Sequence, residues 1–227
     1  MTSEKIKFLI LRTIGNFLVL FSLFGMVATF GPALVNETKY RIDRLEGKIY
    51  LLAGDRSATS PQAKRGFFAD MIGVSTPQII TPVDTNFSIV IPKIDANARI
   101  IPNIDASNYD DYMAALARGV VHAQGSVFPG MKGNIFLFAH STDNFWNVGR
   151  YNAVFYLLKE LETGDEINLF FGGKRFIYKV YDKKIVEGNE VQYLSAASDT
   201  QTVTLMTCWP PGTTWKRLLV FAKANGD

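Results

Sequence analysis

Residues Thr13 to Val35 carry no charged side chain, and this run constrains the chain more than any other feature. At 1.5 Å per residue a helix over it is about 34 Å long, enough to cross a hydrocarbon core of roughly 30 Å. Lys5, Lys7 and Arg12 precede the run, whereas Glu37 and Asp43 are mixed with basic residues after it. The positive-inside rule then predicts residues 1–12 in the cytoplasm, a single membrane-spanning helix over 13–35, and all later residues outside. Two readings compete with an anchor. A cleaved signal peptide is one, although Gly31-Pro32-Ala33 is a poor cleavage site; a buried core helix is the other, unusual at this length without a polar face.

The remaining residues suffice for one sizeable core with accessories. Net charge is only +3, with no long Lys/Arg block, so composition offers no argument for nucleic acid. One cysteine excludes an intramolecular disulfide and leaves that thiol either buried packing or reactive chemistry. Residues 36–85 read as a stalk. Within it Ile42, Leu45, Ile49 and Leu52 recur at helical spacing, predicting a short amphipathic helix against the membrane or the body of the protein. A linker-like stretch, Gly54–Gln62, follows. Gly66-Phe-Phe-Ala-Asp-Met-Ile72 is apolar amid polar neighbours and reads as a barrel cap or a flap.

From Phe87 the pattern changes to short β-type runs separated by turns, predicting strands near 87–91, 98–102, 133–140, 165–171, 175–186, 201–208 and 217–223. Gly172-Gly173 is a two-residue hairpin signal. Helical interruptions are expected near 109–118 and 151–161; the first presents Tyr112, Met113, Leu116 and Ala117 on one side, with Asp110 and Asp111 at its favourable amino end. A mainly β domain over 86–227, with inserted short helices, fits a closed or nearly closed barrel.

Chemistry concentrates in Thr204-Leu-Met-Thr-Cys-Trp-Pro-Pro-Gly-Thr-Thr-Trp-Lys-Arg217. Cys208 ends a β-type run, a Pro/Gly turn follows, and Arg217 opens the next run. Adjacent strands joined this way hold a thiol beside a guanidinium, and fixed cations favour the nucleophilic thiolate. Gly133-Asn-Ile-Phe-Leu-Phe-Ala-His140 reads as a buried strand ending at one of only two histidines.

These residues, in this order, resemble the sortases, membrane-anchored cysteine transpeptidases of bacterial surfaces. Thr204-Leu205-Met206-Thr207-Cys208, Arg217 and His140 match that family's T-L-x-T-C strand end, its following arginine and its upstream histidine. The likeness extends over about 86–224 through Ile91-Pro-Lys-Ile94, Gly125-Ser-Val-Phe-Pro-Gly130 and Leu161-Glu-Thr-Gly-Asp165. Ala139 stands where many sortases have glycine, and Trp209-Pro210-Pro211 follows the cysteine; both leave the subclass open. No second apolar run appears, unlike the carboxy-terminal span of many pilin-polymerising sortases.

The resemblance implies Cys208 as nucleophile, Arg217 as oxyanion stabiliser and His140 as proton donor and acceptor. It also implies surface proteins with Leu-Pro-x-Thr-Gly-like sorting signals as substrates, and a cell-wall precursor or protein amine as acceptor. Water as acceptor would make the chain a hydrolase, and a degenerate site would leave a peptide-binding barrel. Thr207 can support the oxyanion, although strand alternation turns its side chain from that of Cys208. Trp209 and Trp215 either wall a substrate groove or cover the barrel edge. Asp143 reads as a solvated loop residue or as an orienter of His140, and His122 as a structural or rim residue. No metal set and no phosphate-binding glycine loop is visible, so no cofactor is expected; calcium, which modulates some sortases through scattered acidic residues, stays open.

Overall fold

The computed structural model describes residues 3–46, 48, 50–53, 78–141, 153–193 and 198–224. The possible flap over 66–72, Ile49 and Asp143 lie outside the described residues.

Helix α1 (Ser3–Leu45) runs for 43 residues without a break. The sequence reading of a separate 40–52 helix is thus corrected. The helical pattern over 40–45 continues the first helix, while Tyr50–Leu52 forms strand β1, paired in parallel with β2 (Gln78–Ile80). Leu52 and Ile80 pack on Val90 and Phe170 of the barrel. Ile42 and Leu45, expected to bury an apolar face, are exposed, whereas Asp43 of the same turn is buried. The end of α1 therefore meets the protein body through its polar side.

The body is a closed barrel of eight strands: β3 (Phe87–Ile91), β4 (Ala96–Ile104), β5 (Val120–Ala123), β6 (Gly133–Phe138), β7 (Glu166–Phe171), β8 (Lys174–Glu187), β9 (Gln201–Trp209) and β10 (Lys216–Ala224). Around the barrel their order is β10-β8-β7-β3-β4-β5-β6-β9. The β4–β5 and β6–β9 pairings are parallel and the others antiparallel. Strand alternation explains two separate cores. Val203 and Leu205 of β9, Leu218 and Val220 of β10, and Ile135 and Leu137 of β6 point into the barrel. The intervening Phe136, Phe138 and Leu219 point outwards and pack under α2 (Tyr109–Leu116), which contributes Ala115 and Leu116. Asn108 caps α2 by accepting from the Asp111 backbone N–H.

The β7–β8 hairpin turns on Gly172 and Gly173, both at positive φ (56° and 78°), as the favoured two-residue turn requires. β5 was not anticipated. Its four residues are all buried, so the run lacks the alternation that marks a half-buried strand. Of the helix expected near 151–161, the described residues form a 3₁₀ segment, Tyr156–Glu160, and Phe155, Leu158 and Leu161 around it pack into the barrel interior.

Candidate active site

The β9–β10 ladder pairs Cys208 directly with Arg217. Opposed residues of an antiparallel pair face the same side. Both side chains therefore leave the barrel on its outer face, the side that also carries Met206, Phe138 and Leu219.

On the other flank β6 runs parallel to β9, with Phe138 beside Met206. Two contacts carry this alignment beyond the strand end. The Ala139 N–H donates to the Met206 carbonyl (3.2 Å), and the Thr207 hydroxyl donates to the Ala139 carbonyl (2.9 Å). His140 is the next residue, so its backbone is delivered beside Cys208. Its own carbonyl accepts from the Phe155 N–H (3.4 Å). His140 and Cys208 are half-buried, whereas Ser141 is buried.

All three residues line one cavity of about 490 Å³. Phe136, Phe138, Met206 and Leu219 form its apolar floor; Tyr112, Met113 and Leu116 of α2 wall one side, and Tyr193 also lines it. Arg217 Nη1 donates to the carbonyls of Thr214 and Lys216, each at 3.0 Å. These bonds hold the guanidinium against the β9–β10 connection at the cavity edge. Nε and Nη2 have no acceptor among the described residues. A cavity with an apolar body and a few polar groups at one end suits an extended peptide with an apolar side chain.

The remaining candidates separate clearly. Thr207 lines the cavity, but its hydroxyl is committed to Ala139 and so serves to place the histidine. Trp209 does not line it; at the next alternate position after Leu205 and Thr207, it packs against the barrel interior. Trp215 lies in the connecting turn, 74% exposed, and does not line it either. Of the two roles left open for these tryptophans, neither side chain lines this cavity, because alternation sends one inwards and the turn leaves the other in solvent.

His122 is fully buried. Its Nδ1 accepts from the Asn103 N–H (3.1 Å), and Nε2 lies 3.1 Å from the Val127 carbonyl and 2.9 Å from the Ser126 hydroxyl. Phe128 stacks on its ring at 4.5 Å. Only a neutral imidazole with its proton on Nε2 satisfies both backbone partners. Burial accordingly holds its pKa below the ordinary value. Among the described residues no group of three or more His, Cys, Asp or Glu side chains is placed to hold a metal ion.

The α2 wall and Tyr193 were not read as site residues. Helical periodicity had put Tyr112, Met113 and Leu116 on one face without indicating what that face covers.

A family model for the sortase domain matches residues 89–225. The chain belongs to the sortase family. It is 30% identical over 136 residues to sortase D of Bacillus subtilis (strain 168), a match covering 59% of this chain and 60% of that protein. The chain thus matches less than two thirds of the length of this curated relative. Among solved structures, sortase C-1 from Actinomyces oris superposes with a TM-score of 0.52 at 27% identity, covering 64% of this chain and 76% of the other. Sortase C of Clostridium perfringens, solved with the C-terminal cell wall sorting motif, gives 0.52 at 27% identity, covering 63% and 72%. The sortase barrel is accordingly the scaffold on which the Cys208 cavity is built.

Proposed function

We propose that this sortase is a membrane-anchored cysteine transpeptidase acting on proteins that end in a sorting signal. The observation carrying the proposal is the meeting of Cys208, His140 and Arg217 on the wall of one cavity. The Cys208 thiolate attacks the scissile carbonyl, and electron density moves to the carbonyl oxygen. Arg217 stabilises that oxyanion through donors not spent on the turn, an effect commonly worth about 3 kcal/mol. Collapse breaks the C–N bond and forms a thioester, while His140 gives its proton to the departing amine. An incoming amine then attacks the thioester; His140 takes one of its protons, a new amide forms and the thiolate leaves.

Family membership and the C. perfringens structure solved with its sorting motif support a Leu-Pro-x-Thr-Gly-like signal as substrate. The acceptor is an amine of a cell-wall precursor or of another protein. Helix α1 is long and apolar enough to cross a membrane. With Lys5, Lys7 and Arg12 before the uncharged run, it holds the amino terminus in the cytoplasm and the domain over 86–227 at the outer surface. The test is a peptide panel offered to the full chain in detergent, with and without added amine. The proposal expects signal cleavage, amine-dependent transfer product, and loss of both in Cys208→Ala. Hydrolysis alone, at any amine concentration, would replace the transferase with a peptidase.

A further inference from the structure

Two ion pairs tie the end of α1 to the barrel. Lys159 Nζ lies 2.8 Å from Glu37 Oε2, with both side chains mostly buried (26% and 16% exposed). Lys39 Nζ lies 2.9 Å from Asp95 Oδ2 in a more exposed pair. Arg41 also contacts Glu37 one turn along the helix, at 2.8 Å. Among the described residues little apolar packing supplements these contacts: Ile42 and Leu45 are exposed, and a gap of about 490 Å³ lies between the helix end and residues 92–97, Ala153, Val154, Tyr156 and Leu157. Orientation of α1 on the barrel therefore rests on charge pairing rather than on a packed seam. The exposed pair contributes little by itself. The less exposed one sets the register: without Lys159, Glu37 keeps only Arg41, which lies on the same helix and cannot hold it to the barrel.

The attachment point is specific. Lys159 belongs to the 3₁₀ segment, and that segment's carbonyl end is held by Lys183 Nζ, which donates to the Lys159 and Leu161 carbonyls. Phe155, just before it, is buried in the core and donates to the His140 carbonyl. The helix is thus fixed to the segment that leads away from the active-site histidine. Glu37 lies two residues past the uncharged run, about 3 Å along the axis. If α1 spans the bilayer, the clamp sits in the headgroup layer and seats the barrel on the membrane surface.

We infer that the Glu37–Lys159 pair, supported by Lys39–Asp95, is an orientation clamp that holds the Cys208 cavity at a set height and angle above the bilayer for substrates tethered to that bilayer. The inference rests on the proposed transpeptidase reading for its activity consequence, but not for its geometric one. Two molecules held in one membrane meet at an effective concentration set by the geometry of their tethers, so a swivelling barrel loses productive encounters with a tethered signal and none with a free one.

The test uses full-length chain in phosphatidylcholine–phosphatidylglycerol vesicles, offered one sorting-signal peptide either free or linked to a membrane-spanning helix. Lys159→Glu is expected to keep the free-peptide rate within about twofold and to lose about tenfold on the tethered peptide. Adding Glu37→Lys, which restores an opposite-charge pair, is expected to recover most of that loss. Equal losses on both peptides, or an unchanged tethered rate, would overturn the clamp. A dye on Cys208, the chain's single cysteine, supplies an activity-free readout by energy transfer to labelled headgroups. A narrow distance distribution in the native chain, broadened in Lys159→Glu and narrowed again in the double variant, supports the clamp. Identical distributions refute it. If the native chain cleaves neither peptide, the transpeptidase reading fails and the distance measurement alone decides the clamp.

Discussion

Replacing Thr207 by valine tests how the barrel delivers its histidine. The side chain is 3% exposed, and its hydroxyl donates to the Ala139 carbonyl at 2.9 Å. Valine keeps the shape and removes the donor, while Ala139 stays buried. Losing one partner of a buried hydrogen bond costs about 1–3 kcal/mol, more than the net value of a bond removed with both its partners. For a barrel of this size that corresponds to a fall in melting temperature of about 3–10 °C, measurable by calorimetry of the detergent-solubilised full chain. The larger consequence falls on rate. With Ala139 released, His140 loses one of the contacts that hold its backbone beside β9, and kcat should drop about tenfold. KM should change little, because the threonine hydroxyl faces Ala139 and not the cavity. A normal kcat with a lowered melting temperature would show that the bond only stabilises the strand end; a raised KM with normal kcat would return Thr207 to substrate binding.

Arg217→Lys keeps the charge and loses the planar fork, so kcat/KM should fall about 100-fold without change in melting temperature; a variant within threefold of native would remove Arg217 from the chemistry. Leu158→Ala empties a fully buried position in the segment that fills the barrel beneath His140 and should cost about 2–5 kcal/mol in urea denaturation. Stability should also decline in acid because of His122. Burial holds its folded pKa below the ordinary 6.5, so the unfolded chain takes up the proton first. Its contribution is fully present above pH 6.5 and is lost as pH falls through 6.5 towards the lowered folded value. His122→Gln should flatten that part of a pH-stability curve, and an unchanged slope would assign the acid sensitivity elsewhere.

The pairing of Cys208 with Arg217 was legible because two β-type runs flank a Pro/Gly turn of definite length, and antiparallel register then does the rest. His140 was legible locally as the end of a buried strand, but its place beside Cys208 came only through the resemblance, since nothing local shows that β6 lies parallel to β9 across a long separation in sequence. β5 escaped because a short strand buried on both faces has no period. The continuity of α1 escaped for a different reason. The apolar repeat of Ile42, Leu45, Ile49 and Leu52 suggested a buried face, but ion pairs at Glu37 and Lys39 hold that region, and no hydrophobic period records them. The tryptophans stayed open between a groove wall and a barrel-edge cover, because strand parity and the turn, not residue type, decide which way they face.

In the proposed reaction one sulfur, placed against His140 and Arg217, forms the covalent intermediate. Intact-mass spectrometry of the full chain mixed with a sorting-signal peptide tests it most directly. A mass gain equal to the acyl fragment is expected, located on Cys208 and discharged by added amine. Efficient signal cleavage by Cys208→Ala, or by a native chain that never carries such an adduct, would contradict it.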